Sequence, residues 1–244
     1  MSYRFIEEFR DKYRRSPYSQ KGEEIWIIGP APSLDDYPKD FFDDKISIAV
    51  NYAYLAFPRA TFFFTNHKKA VDYVEKNMAQ CLNKYICCYI QEEFEPYKGF
   101  IHLGDCGKKV IYFSWKRSPF PRAKENYLQM AKNLLETKKS PYAISRSALA
   151  QGAVEAAAFM GAKKITMTGC DEKMGKDSCE AKRNNIAKIS GIPIRYKTFE
   201  VYMDKSQETF EEMRSGTRWL TETLREYGIE VQKYFYNEGY RRIM

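Results

Sequence analysis

Short apolar runs recur along the chain, each bounded by polar or turn residues, with stretches of helical periodicity between several of them. "IWII" at 25–28 stops at Gly29. "KISIAV" at 45–50, "ATFFFT" at 60–65, "KYICCYI" at 84–90 and "KVIYF" at 109–113 follow. Continuous apolar runs of this length suit strands buried on both faces of a parallel sheet. Helical spacing predicts an amphipathic helix at 3–14 through Phe5, Ile6 and Phe9, and another at 68–80 through Val71, Val74 and Met78. A helix is also expected at 123–136. "SRSALAQGAVEAAAFMG" at 145–161 predicts a small-residue helix with Leu149, Ala153, Ala156 and Met160 on one face and Gly161 as its stop. "KKITMTGCD" at 163–171 is then a strand. A helix at 176–189, a short strand within 191–199, a helix at 206–227 and a closing strand at 229–235 complete the series. The stripe Phe210, Met213, Thr217, Leu220, Leu224 and Tyr227 on the last helix reads as core or as a subunit contact.

Strands alternating with helices predict an α/β fold, a Rossmann-like, mostly parallel sheet with helices on both faces. We expect one such domain over 1–244. The basic, aromatic, proline-punctuated "SWKRSPFPR" at 114–122 begins a lid or insertion at about 114–143, or an ordinary crossover loop. Ligands in such sheets sit beyond the carboxyl ends of the strands. That directs attention to Gly29–Ser33, Asn51, Thr65–His67, Cys88–Glu92 and Gly169–Glu172.

Charge changes the picture in one respect. Lys and Arg number 40 against 32 Asp and Glu, a net charge of +8, which suits an anionic partner such as a nucleotide or a nucleic acid. The six cysteines make no Cys-x-x-Cys pair and there are two histidines, a poor basis for a zinc site, so no metal ligand is assigned. Paired Cys87 and Cys88 inside an apolar run read as core thiols and suit a reducing cytoplasm. No apolar run approaches a membrane span, and the first residues lack the apolar centre of a signal peptide.

The strand ends carry the candidate chemistry. In "GPAPS", Gly29 permits close approach of a ligand or an unusual backbone angle. Pro30 and Pro32 stiffen the loop around Ala31, and Ser33 could cap the next segment and meet a phosphate. A plain rigid turn is the competing reading. There is no Gly-x-Gly-x-x-Gly loop and no Gly-x-x-x-x-Gly-Lys-Ser/Thr, which disfavours a nicotinamide dehydrogenase and a P-loop kinase. Asn51 and Asn66 follow two strands and can both donate and accept, as a reader of a base, ribose or sugar must. Ser145, Arg146 and Ser147 precede the alanine-rich helix, where free amides and a guanidinium suit a phosphate. Asp171, after Gly169, could hold a ribose hydroxyl or a metal, with Glu172 beside it. His67 and His102 are candidate general bases, although His67 could simply open the helix at 68.

These motifs resemble two related groups. One is the Campylobacter-type bacterial sialyltransferases. The other includes the archaeal 6-hydroxymethylpterin pyrophosphokinase and the motility-associated, flagellin-modifying glycosyltransferases. "IIGPAPSLDD" is similar to their Gly-x-Gly-Pro-Ser-Leu loop. "AVNYAY" and "FFFTNH" match strands followed by asparagine. "SRSALAQGAVEAAAFMGAKKITMTGCD" resembles their Ser/Thr-Ser-Gly loop, small-residue helix and strand ending in Asp. The similarity spans about 24–172, with 85–143 matching in element order alone. It implies a Rossmann-like domain binding a nucleotide-sugar donor, a CMP-sugar in the sialyltransferases, where transfer needs no bound metal. Gly29–Leu34 would then approach phosphate and ribose, Asn51 and Asn66 nucleotide and sugar, Ser145–Ser147 cytidine or phosphate, and Asp171 the rim. The chain departs from the pattern at Ala31, at Arg146-Ser147, and in having no histidine after 102. For the family's phosphate-balancing tyrosines, Tyr196 and Tyr202 are candidates by location only. The base is therefore left among His67, His102, Asp171 and Glu172.

The leading expectation is a glycosyltransferase with a nucleotide-sugar donor. The alternatives are a 6-hydroxymethylpterin pyrophosphokinase-like enzyme using ATP and Mg²⁺, with Asp171 near the metal, and a nucleotide-binding protein without catalysis. The acceptor is open, nucleic acid included, and the stripe on 206–227 leaves a homo-oligomer open.

Overall fold

The computed structural model describes residues 24–65, 85–90, 110–114, 125, 129, 149–170, 191 and 207–243. Eight strands form one sheet: β1 (Glu24–Ile28), β2 (Ser47–Val50), β3 (Phe62–Thr65), β4 (Tyr85–Ile90), β5 (Val110–Ser114), β6 (Lys164–Thr168), β7 (Glu230–Phe235) and β8 (Gly239–Arg242). Their order across the sheet is β5-β4-β3-β2-β1-β6-β7-β8. All neighbours from β5 to β7 pair parallel, and β7–β8 pairs antiparallel. The Rossmann-like, mostly parallel α/β architecture read from the chain is present. The strand order reverses between β1 and β6, the place where such sheets open a crevice for ligands.

Alternation along the strands sorts side chains onto two unlike faces. One face carries Ile25, Ile27, Ile48, Val50, Phe62, Phe64, Ile165, Met167 and Val231 in a continuous buried cluster. It is covered by α2 (Leu149–Met160) and α3 (Gln207–Glu226), which add Ala153, Val154, Ala156, Ala157, Leu220 and Leu224. The expected small-residue face of α2 is seated there through Ala153, Ala156 and Met160, and α2 is buried without a break from Gln151 to Ala158. Small side chains let its axis approach the sheet closely. A β-carbon on Gly152 would already lie 3.5 Å from the Phe64 ring. Thr217, Leu220 and Leu224 of the predicted α3 stripe are buried, and Tyr227 packs against the cluster. For these residues the core reading holds. Gln151 Nε2 donates to Thr217 Oγ1 at 2.9 Å and ties the two helices together.

The second face is covered by short elements: a 3-10 turn at Pro32–Asp36, α1 (Ala53–Ala56) and the aromatic residues between them. Trp26 packs edge-on against Phe41, Phe42 and Tyr234. Phe42 meets Phe57, and Tyr54 meets Phe63. Toward β6 and β7 this face carries hydrogen-bonded polar side chains. Thr166 donates to Glu24 Oε1 at 2.6 Å, and Gln232 donates to Thr166 at 3.2 Å.

Two strand starts need correction, and two elements carry no sequence signal. Strand β2 starts at Ser47 rather than 45 and β3 at Phe62 rather than 60. There, Ser47 N donates to Thr61 Oγ1 at 3.2 Å and Thr61 N to Ser47 Oγ at 3.3 Å, so side-chain oxygens take the place of ladder partners. The short helix α1 escapes a periodicity search because it is one turn long. Strand β8, "GYRR", has no apolar run to announce it. The turn at 236–238 ends at Gly239, whose φ of +75° suits the left-handed position that closes a hairpin loop of this length. The helices expected at 3–14, 68–80 and 176–189 and the strand within 191–199 lie outside the described residues. So does the 115–143 stretch, apart from helical positions at Glu125 and Gln129. Among the described residues no helix is long and apolar enough to cross a membrane.

Candidate functional site

Because β1 to β7 run the same way, the residue after each strand lies on one edge of the sheet. Gly29 follows β1, Asn51 follows β2, Thr65 ends β3, Gly169 follows β6 and Tyr236 follows β7. Of the sequence-derived site residues, Gly29, Pro30, Ala31, Ser33, Asn51 and Gly169 are therefore brought to this rim. Asn66, His67, His102, Ser145, Arg146, Ser147, Asp171 and Glu172 lie outside the described residues, although Asn66 directly follows Thr65 and Asp171 directly follows Cys170.

At the β1–β6 border the two chains cross at close quarters. Gly29 N donates to Thr168 O and Ala31 N to Gly169 O, both at 2.8 Å. A β-carbon on Gly29 would collide with the Gly169 carbonyl oxygen and stand 2.5 Å from Cys170 Sγ. One on Gly169 would collide with the Gly29 carbonyl and stand 2.7 Å from Leu34 Cγ. Gly169 also has φ +60°, a region L-residues with a β-carbon rarely occupy. The absent β-carbon of Gly29 makes room for a neighbouring strand end, and the unusual backbone angle expected there is not found. Gly29 is not among the residues with positive φ.

The loop after β1 closes on itself. Leu34 N donates to Ala31 O at 3.1 Å and Tyr37 N to Leu34 O at 3.1 Å. The N-cap of the 3-10 turn is Ala31, without a side-chain cap bond, and Ser33 sits half-buried inside the turn rather than capping it. With the amides at 29, 31 and 34 engaged and two prolines lacking one, this loop is not an open nest of donors like a P-loop. The fully buried Ala31 occupies the place of the expected second glycine.

Asn51 is held differently. It is the one described non-glycine residue with positive φ, +53°, a conformation asparagine tolerates better than most. Asn51 N donates to Phe64 O at 3.0 Å, and Tyr54 N reaches Asn51 O at 3.4 Å. Its side chain accepts from Thr65 Oγ1 at 2.7 Å. Thr65 is buried, whereas Asn51 is half-exposed.

Two tyrosines extend the rim beyond what the sequence reading marked. Tyr37 OH accepts from Thr168 Oγ1 at 2.5 Å and donates to Tyr234 O at 3.0 Å. Its ring lies 5.4 Å from that of Tyr236, which is 39% exposed. The rule that singled out Asn51 and Gly169, inspection of the residue after each strand, also finds Tyr236 once it is applied to the last parallel strand. Tyr37 has no such signal, since its place depends on the fold of the loop before it.

Among the described residues no group of three or more His, Cys, Asp and Glu side chains is arranged to hold a metal. The half-buried thiol of Cys170 donates to Thr168 O at 3.4 Å.

The chain matches no protein-family model, no curated protein and no solved structure. Of the expected kinship, the coarse Rossmann-like arrangement is present, in an architecture that commonly receives nucleotides and other small ligands at this edge.

Proposed function

We propose that the chain is a glycosyltransferase that binds a nucleotide-sugar donor across the carboxyl rim of β1, β2, β3 and β6. The observation that carries this reading is the placement of Gly29, Asn51 and Gly169 after β1, β2 and β6 along one rim, beside the point where strand order reverses. The motif resemblance to nucleotide-sugar transferases and the net charge of +8 support it further. With the β1 loop closed on itself, the donor's oxygens would be met by side chains: Asn51, with Asn66, Ser145, Arg146 and Ser147 as further candidates. In transfer, an acceptor oxygen attacks the anomeric carbon and the sugar–phosphate bond breaks. The nucleotide leaves with the bonding electrons, and a base takes the acceptor's proton. His67, His102, Asp171 and Glu172 are the candidates for that base.

A thermal-shift panel of CMP, CDP, UDP, GDP, CMP-sugars and ATP with Mg²⁺ tests the reading, since a ligand of the native state raises the unfolding temperature. We expect a cytidine or uridine nucleotide to give the largest rise. A following incubation with the matching nucleotide-sugar should release free nucleotide. A rise with ATP–Mg²⁺ alone, with AMP formed on a hydroxymethylpterin, would assign the pyrophosphokinase reaction instead. Binding without turnover would leave a nucleotide-binding protein.

A further inference from the structure

Asn51 is anchored at three points and open at one. Its backbone N–H and carbonyl are engaged with Phe64 and Tyr54, and its side-chain oxygen accepts the Thr65 hydroxyl at 2.7 Å. Oδ1 is therefore committed inward, to a buried hydroxyl at the end of the next strand, while among the described residues no hydrogen bond engages Nδ2. A carboxamide held by its oxygen has its orientation decided: the NH₂ group is turned away from the anchor. Since Asn51 is half-exposed and Thr65 buried, that direction is the rim.

We propose that Thr65 is a positioning residue for Asn51, and that the pair makes this part of the rim a hydrogen-bond donor selective for an acceptor oxygen of the ligand, a phosphate or base-carbonyl oxygen. The inference rests on the reading that a nucleotide donor occupies the rim, and it narrows it. A hydroxyl can donate or accept; here Thr65 donates, Oδ1 takes the inward place, and Nδ2 is the end left for a ligand. With Thr65 in place, a ligand group that can only donate finds no partner at Asn51, and a buried unpaired donor costs affinity.

The test uses the full chain, with CMP and UDP as probes in calorimetric titration and the Asn51 side-chain amide followed by NMR. Thr65→Val keeps the shape and removes the hydroxyl, and Thr65→Ser restores it. Asn51→Asp still accepts from Thr65 but places an acceptor where the donor was. We expect Thr65→Val to weaken binding of the preferred probe by about fivefold to twentyfold. Thr65→Ser should bind within about twofold of the wild type, and Asn51→Asp should lose binding, with all three variants folded by circular dichroism. A rescue by serine separates positioning from mere packing. Equal affinity in wild type and Thr65→Val, or retained binding in Asn51→Asp, overturns the inference and leaves the donor site standing. If the wild type binds neither probe, the nucleotide reading fails, and the amide signals decide the Thr65 role by themselves. Displaced Asn51 Nδ2 protons in Thr65→Val, returned to place in Thr65→Ser, support it. An unchanged pair of signals in Thr65→Val overturns it.

Discussion

At the scale of single residues, two glycines carry more consequence than any charged group at the rim. Gly29 and Gly169 let two strand ends touch through their backbones, with each one's missing β-carbon replaced by the other's carbonyl. Gly29→Ala should therefore lower stability by about 1–3 kcal/mol, the usual cost of forcing atoms into a packed site. Gly169→Ala should cost more, because strain at φ +60° adds to the collision. Urea unfolding measures both, and near-wild-type midpoints would show that the crossing is looser than described. Lys164 gives a pH-dependent counterpart. Burial pulls its ammonium's pKa down, but the hydrogen bond and charge of Glu24, with Tyr240 beside it, more than offset this, and the pKa lies above the ordinary 10.5. The bridge to Glu24 Oε1 is 3.2 Å, and the ammonium stands 4.3 Å from the Tyr240 ring centroid. A group that holds its proton more tightly when folded stabilises the native state below its unfolded pKa and loses that contribution as pH rises through its native value. Wild type and Lys164→Met should thus differ by a constant amount from pH 7 to 10 and converge above pH 10.5. The effect will be modest because the ammonium is partly in solvent.

At the scale of elements, α2 shows what a small-residue helix is for. Gly152 is inside the helix, without positive φ, and a methyl group there would meet Phe64 at ordinary contact distance. Gly152→Ala should stabilise by about 0.5–1 kcal/mol through helix propensity and a less free unfolded chain. Gly152→Leu should destabilise, since its larger side chain must enter the sheet. Thermal unfolding of the pair reads both signs. The apolar runs at 25–28 and within 45–50 and 60–65 and the alanine pattern of α2 were legible in the chain because burial on both sides writes itself as unbroken apolar sequence. Strand β8 was not, since "GYRR" at an edge, with Tyr240 half-exposed, has neither an apolar run nor a clear alternation. The loop after β1 was legible as a turn, but its function was not. Whether Gly29 faces a ligand or another strand depends on Gly169, far away in the chain. The Thr65–Asn51 bond was equally hidden, since each residue alone reads as an ordinary strand end.

At the scale of the molecule, the strand order sets how the protein is assembled. β1 lies between β2 and β6, and its contact with β6 joins residues such as Glu24 and Thr166, 142 positions apart. Pairings across such a separation carry a large loop-closure cost and slow folding. During synthesis, then, the "IWII" segment emerges first and waits with one side unpaired until the ribosome has delivered the "KITMT" segment. Through that interval an aggregation-prone apolar strand is exposed, and the nascent chain depends on its earlier partner, "SIAV", or on a chaperone to keep it out of trouble.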